Sequence, residues 1–237
     1  MALPDRPLVV SVVVADGLVG SFGLGVCCEV FGYDRRSMGL PLFDFGLVTE
    51  VPGVLRTDTG IPITVEHGLE RLARSDIVSI TAWELFDRVP SPALLDAFRE
   101  AHARGATIIS HCTGAFVLAA AGLLDGQRVT THWKYAGELA ARFPAVTVDP
   151  SVLYVDNGQV ITGAGTAAGV DTLLHLVRRE WGPPRPTRSR ARWSSRRTAT
   201  VARPSSSTRP CRPARTTCSV PCSSGPPATL PRTSPSR

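Results

Sequence analysis

At 237 residues the chain has room for one α/β domain and a smaller appendage. Its net charge of +6 would suggest a nucleic-acid or membrane partner, but the charge is unevenly placed. Residues 183–237 hold 12 arginines and no acid, which leaves 14 basic against 20 acidic residues in 1–182. Basicity therefore belongs to the tail and says nothing about the partners of the body. The opening MALPDRPLVV has no basic segment leading into a long apolar core, which argues against a secretory signal. No apolar run approaches the ~20 residues that a membrane helix needs. The six cysteines (27, 28, 112, 211, 218 and 222) show no metal-type spacing, and the tail around Cys218 and Cys222 holds no histidine. No metal, cofactor or membrane is expected, and a reducing cytoplasm is the default setting.

The first element is Leu8 to Ala15, LVVSVVVA, a continuous apolar run of the kind found in central parallel strands covered on both faces. A turn is expected at Asp16-Gly17, then a short helix over Gly25 to Phe31, in which Cys27 and Cys28 read as buried fillers. Phe43 to Thr49 predicts a second strand. Val54 to Thr57 and Ile61 to Val65, parted by Gly60, predict a small hairpin or edge excursion. One or two helical turns at Leu69 to Ala73 precede a core strand, Asp76 to Ile80. Ser91 as N-cap and Pro92 at the first helical position open a helix through Leu94, Leu95, Phe98 and Ala101. Strands at Gln127 to Thr130, Val146 to Val148, Leu153 to Val155 and Val160 to Thr162 surround an amphipathic helix from Lys134 to Arg142. The last helix spans Thr166 to Trp181, with Thr166 as N-cap and Val170, Leu173, Leu174 and Val177 facing inward. Gly163, Gly165 and Gly169 have the wrong spacing for a dinucleotide fingerprint and suit a tight strand-to-helix turn instead. Strands alternating with helices predict a doubly wound, flavodoxin-like α/β sandwich with a mainly parallel sheet over 1–182, whose sites lie beyond the C-terminal strand ends.

The chain is organised around Thr107 to Trp133, TIISHCTGAFVLAAAGLLDGQRVTTHW. The β-branched run Thr107 to Ser110 predicts a buried strand, and Ala115 to Ala121 continues at helical spacing. Between them Cys112-Thr113-Gly114 forms the sharp turn of a nucleophile elbow. A helix N-terminus would lower the cysteine's pKa and expose it, and Gly114 would let the helix backbone come close. This segment resembles the PfpI/ThiJ-type branch of the class I glutamine amidotransferase-like superfamily. More narrowly, it is similar to the sensory domain of GlxA-type, AraC-family transcription regulators, whose elbow C-[ST]-G-A-F-x-L-A-x-A-G-L-L-D-G-x-x-x-T-T-H-W is followed from Cys112 to Trp133. The similarity runs from about Leu8 to Trp181.

The resemblance implies a ligand cleft at the elbow, near Trp83, Cys112, Thr113, Gly114 and His132, with Cys112 and His132 as the candidate catalytic pair. His132 alternatively fixes its own turn by hydrogen bonding, and Trp83 alternatively only packs. Enzymatic relatives carry an acid on the first helix where this chain has Gly23, while Glu29 matches a later, structural acid. They also carry a P-G-G or P-G-W loop where this chain has Thr81-Ala82-Trp83, and protease-like members place His where Thr113 stands. His111, one residue back on the strand, is expected on the other face. The resemblance thus implies a sensing and oligomerisation domain that binds a small effector and forms a homodimer. DNA would be read through a helix-turn-helix module that is not visible in this chain. A cysteine hydrolase, amidase or glyoxalase-like enzyme using Cys112 is the alternative. From Pro183 the chain turns rich in Arg, Pro, Ser and Thr, the composition of a disordered tail. Arg190 to Thr208 and Thr216 to Gly225 also match what family members carry after this helix, written in GC-rich codons and read one base out of frame. A frame shift near Gly182 is the expectation.

Overall fold

The computed structural model describes residues 3–15, 18–83, 89–165 and 167–182. The expected Asp16-Gly17 turn, the Thr166 cap, and the tail with Cys211, Cys218 and Cys222 lie outside the described residues. The strands are β1 (Leu8–Val13), β2 (Leu18–Val19), β3 (Phe43–Val48), β4 (Gly53–Thr57), β5 (Pro62–Val65), β6 (Ile77–Ile80) and β7 (Thr107–His111). After them come β8 (Arg128–Val129), β9 (Thr147–Val148), β10 (Tyr154–Asp156) and β11 (Val160–Gly163). The helices are α1 (Ser21–Phe31), α2 (Pro92–Ala103), α3 (Ala115–Ala120), α4 (Ala136–Arg142) and α5 (Ala168–Trp181).

A six-stranded sheet in the order β10-β11-β7-β6-β1-β3 forms the centre. Its pairs are parallel except the antiparallel β10–β11 edge. The apolar runs explain the order. In β6 and β11 every residue is buried, as are the last four residues of β1 and of β7, so strands without polar alternation sit in the middle. Helix α1 packs with α5 and α2 with α3, which covers the sheet on both faces. The resulting α/β sandwich is the doubly wound, mainly parallel architecture read from the sequence.

Local signals held where they were strong. The Ser91 hydroxyl accepts the Leu94 N–H at 3.1 Å, so Ser91 caps α2 as expected, with Pro92 next to it. The predicted hairpin exists as β4 and β5, but it pairs with β2 in a separate three-stranded sheet. The strand expected over Gln127 to Thr130 shrinks to β8, two residues that pair only with β9. Helix α1 starts at Ser21, earlier than the predicted Gly25. It has no acid in its first turn and no cap from its own N-cap residue, and Asp58 supplies the missing acceptor from a distant turn. Val170, predicted to face inward, is 39% exposed, while Leu176 is fully buried. Leu173, Leu174 and Val177 are buried as predicted, and Ala168, Gly169, Thr172 and Leu176 join them where α5 packs on the sheet and on α1.

Replacing Ser91 with alanine removes the α2 cap and is expected to cost about 1 kcal/mol in urea unfolding, with Ser91→Asn restoring most of it.

Candidate functional site

Strand β7 delivers the chain to a turn that it cannot make without help. Cys112 follows His111 directly and adopts φ +54°, the one non-glycine residue in the left-handed region among the described residues. Such a conformation costs on the order of 1 kcal/mol or more and persists where surrounding contacts impose it. Those contacts are present on both sides of the residue. The Cys112 N–H donates to the Ala164 carbonyl at 3.0 Å, and the Thr131 hydroxyl donates to the Cys112 carbonyl at 2.7 Å. Ala164 follows β11 and Thr131 follows β8, so two neighbouring loops pin the elbow. A 3-10 turn over Cys112–Gly114 then leads into α3. Gly114 is required here by space, because a Cβ would lie 2.7 Å from the Thr81 carbonyl oxygen and 3.0 Å from Ile80.

Beside the elbow is an open cleft enclosing about 590 Å³ of empty space, part of it continuous with solvent. The start of α1 contributes Gly20, Phe22, Gly23 and Val26 to it. Asp58 and Ala82 stand at its rim, and His111, Cys112 and Gly169 complete the lining. It lies at the C-terminal end of β7, where a doubly wound sheet is expected to hold its site.

The structure sorts the sequence-derived candidates. Cys112 lines the cleft. Thr113 and Trp83 meet one another instead, since the Trp83 N–H donates to Thr113 Oγ1 at 2.8 Å. Trp83 is 4% exposed and belongs to the core cluster, so its indole packs rather than lining the cleft. Gly114 sits behind the elbow against β6. His132 accepts the Lys134 N–H on Nδ1 at 3.2 Å and so caps the turn that opens α4. Its ring lies against Gly165, Trp133 and Tyr135. Among the described residues Cys112 and His132 share no hydrogen bond.

Two expectations change. The elbow was expected to lower the pKa of Cys112, yet burial pushes the thiol above its ordinary value, outweighing hydrogen bonds from the Thr113 backbone and hydroxyl. Helix α3 is only six residues long and begins after a 3-10 turn, so its dipole is weak. His111 was expected on the opposite face from Cys112, yet both line the cleft. Alternation holds only while the chain stays extended, and it ends at His111 because Cys112 is left-handed. His111 is 4% exposed, with Nε2 at 3.0 Å from Ser79 Oγ. Cys27 Sγ lies behind them, 3.8 Å from Ser79 Oγ and 3.9 Å from His111 Nε2. Burial lowers the His111 imidazole to about 4 and pushes the Cys27 thiol up to about 12, so both are neutral at pH 7.

The sequence reading missed Gly20, Phe22, Val26, Asp58, Ala82, His111 and Gly169 as lining residues. Asp58 joins because its carboxylate accepts the Ser21 N–H at 3.1 Å across 37 residues, a pairing that no local pattern announces. Among the described residues no group of three or more His, Cys, Asp or Glu is arranged to hold a metal, and no helix is long and apolar enough to cross a membrane.

Comparison with known proteins agrees with this geometry. The DJ-1/PfpI family matches residues 59–179. The chain is 31% identical over 142 residues to the HTH-type transcriptional regulator CdhR of Pseudomonas aeruginosa, which covers 60% of this chain and 42% of that one. It is 43% identical over 83 residues to the isonitrile hydratase of Pseudomonas putida, 35% of each chain. The chain thus spans less than half the length of either relative. A crystal structure of an AraC family transcriptional regulator from Pseudomonas putida superposes with a TM-score of 0.63 at 20% identity, covering 74% of this chain and 94% of that one. At that identity it shows the shared fold.

Three outcomes follow from the site. Thr131→Val leaves the Cys112 carbonyl without its hydroxyl donor and is expected to cost about 1–2 kcal/mol in urea unfolding. Iodoacetamide at pH 7, read by mass spectrometry of the Cys112 peptide, is expected to react several-fold more slowly than with N-acetylcysteine, since a raised pKa leaves little thiolate. Stability is expected to depend on pH through His111. The unfolded imidazole takes a proton below about 6.5 while the folded one stays neutral to about 4. This contribution is therefore complete above 6.5, falls by on the order of 3 kcal/mol as the pH drops, and stops falling near 4. Asp34 and Asp149, held near 2 by their hydrogen bonds, act only below that window. His111→Gln should flatten the urea midpoint between pH 7 and 4.

Proposed function

Because the chain belongs to the DJ-1/PfpI family, we propose that it is the ligand-sensing domain of an AraC-family transcription regulator, taking a small effector in the cleft beside Cys112. The observation that carries this reading is the state of the elbow. Cys112 is a desolvated thiol, and Gly23 stands where the enzymatic relatives are expected to carry an acid. The Trp83 N–H that could serve a developing oxyanion is already given to Thr113. A cleft whose thiol is kept protonated by burial can bind without turning over. The similarity to CdhR and to the AraC family crystal structure supports the regulatory setting. In that setting the domain forms a homodimer in the cytoplasm and carries its effector signal to a helix-turn-helix module. Residues 183–237 are on this reading the product of a shifted frame near Gly182.

A cysteine enzyme is the second reading, favoured by the similarity to the isonitrile hydratase. It would use Cys112 as a nucleophile, with His132 as its partner once released from its turn.

Thermal melting of the full chain against a panel of small polar metabolites separates the two. The sensor reading expects at least one compound to raise Tm by several degrees at saturation. Gly23→Leu, whose Cβ would meet nothing closer than Thr81 at 3.9 Å, should fill the cleft and abolish the effect. Incubation with an isonitrile is expected to yield no formamide, and formamide production that disappears in Cys112→Ala would establish the enzyme instead. Sequencing the gene from codon 170 onward is expected to reveal a second frame encoding a helix-turn-helix, and an unbroken single frame without one would overturn the shifted-frame reading.

A further inference from the structure

The cleft's floor holds a polar group that neither the elbow chemistry nor the fold uses. His111 is 96% buried, and its Nε2 is committed to Ser79 Oγ at 3.0 Å. Its Nδ1 has no hydrogen-bond partner among the described residues. That nitrogen lies beside Gly169, where a Cβ would approach it to 3.0 Å, and both residues line the cleft. Open to the cleft and holding no internal partner, this nitrogen can take a bound polar group without breaking any hydrogen bond of the fold. Glycine at 169 leaves open the approach that alanine would cover. At the rim of the same cleft stands one ionised side chain, Asp58, whose carboxyl is held below its ordinary range by hydrogen bonds from the Ser21 hydroxyl and backbone N–H.

We propose that His111, through Nδ1, is the polar recognition group of the cleft and that the cleft selects small polar molecules without net negative charge. This inference rests on the sensor reading and names its ligand class. Ser79 fixes the ring plane, and Cys27 backs Ser79 with a protonated thiol. Two proton arrangements are compatible with that line. With Ser79 donating to Nε2, Nδ1–H points into the cleft as a donor; with Nε2–H donating to Ser79, the Nδ1 lone pair accepts. A carboxamide satisfies either arrangement, since it offers a carbonyl oxygen and an N–H₂ group. A carboxylate satisfies the first alone and meets the Asp58 charge in both. Phe22, Val26 and Ala82 supply the apolar wall for the rest of the molecule.

Acetamide and acetate, equal in size and different in charge, are the probes. The full chain labelled with ¹⁵N is titrated with each while the imidazole nitrogens of its five histidines are followed by NMR. The His111 signal is assigned by its loss in His111→Gln or, should that variant not fold, by its displacement in Gly169→Ala. Acetamide is expected to shift the His111 Nδ1 resonance saturably and acetate to bind a few-fold more weakly at low salt. Asp58→Asn should narrow that gap, and Gly169→Ala should abolish the acetamide shift. Acetate shifting His111 as strongly as acetamide overturns the charge selection, and unchanged binding in Gly169→Ala overturns the role of Nδ1. If acetamide moves the amides of Phe22 and Cys112 while the His111 ring stays unchanged, the cleft still binds and only this inference fails. If it moves nothing in the cleft, the sensor reading loses its site as well.

Discussion

Everything at the site depends on the left-handed backbone of Cys112. An L-residue enters that region at a cost, and here the cost is met by two hydrogen bonds from loops that follow different strands, Ala164 after β11 and Thr131 after β8. The elbow therefore depends on two loops, one after β11 in the central sheet and one after β8 in the small β8–β9 pair. The same twist of backbone swings Cys112 out of the strand's alternation and lets it share a cleft with His111.

Two kinds of polar residue are buried around that turn, and they differ in what holds them. Thr113, Thr131 and Ser79 are small hydroxyl residues satisfied within the fold, and they act as clasps between consecutive loops. His111 is satisfied on one side only. Neutrality is what makes its burial tolerable, because a charged imidazole there would face a desolvation penalty that no neighbouring carboxylate offsets. Cys112 is a desolvated thiol, and His111, which the motif reading set aside, lines the same cleft.

Much of the fold was legible in the sequence, and the reason is physical. Buried parallel strands need continuous apolar runs, so Leu8 to Val13 and Ile77 to Ile80 announce themselves, and the Ser91-Pro92 pair marks a helix start through purely local chemistry. The elbow at Cys112 was legible from its resemblance to a family. The cleft was not. Asp58 reaches Ser21 through a contact 37 residues apart, and Gly169 matters because of the distance from its absent Cβ to His111. Neither fact has a local signature. His111 was misplaced because strand alternation was carried one residue too far. Trp83 was ambiguous because the end of a strand can open into a cleft or into the core, and packing around it settles on the core.

Helix α5 has a mechanical consequence. Its first turn carries Gly169 against His111, and its last residue, Trp181, meets Phe43 edge-to-face at 5.5 Å on the outermost strand of the sheet. The two ends are about 18 Å apart along a stiff rod. One end touches the floor of the cleft, and the other packs on the edge strand β3 of the central sheet. A shift at Gly169 would therefore act on a continuous helix whose far end is packed against Phe43.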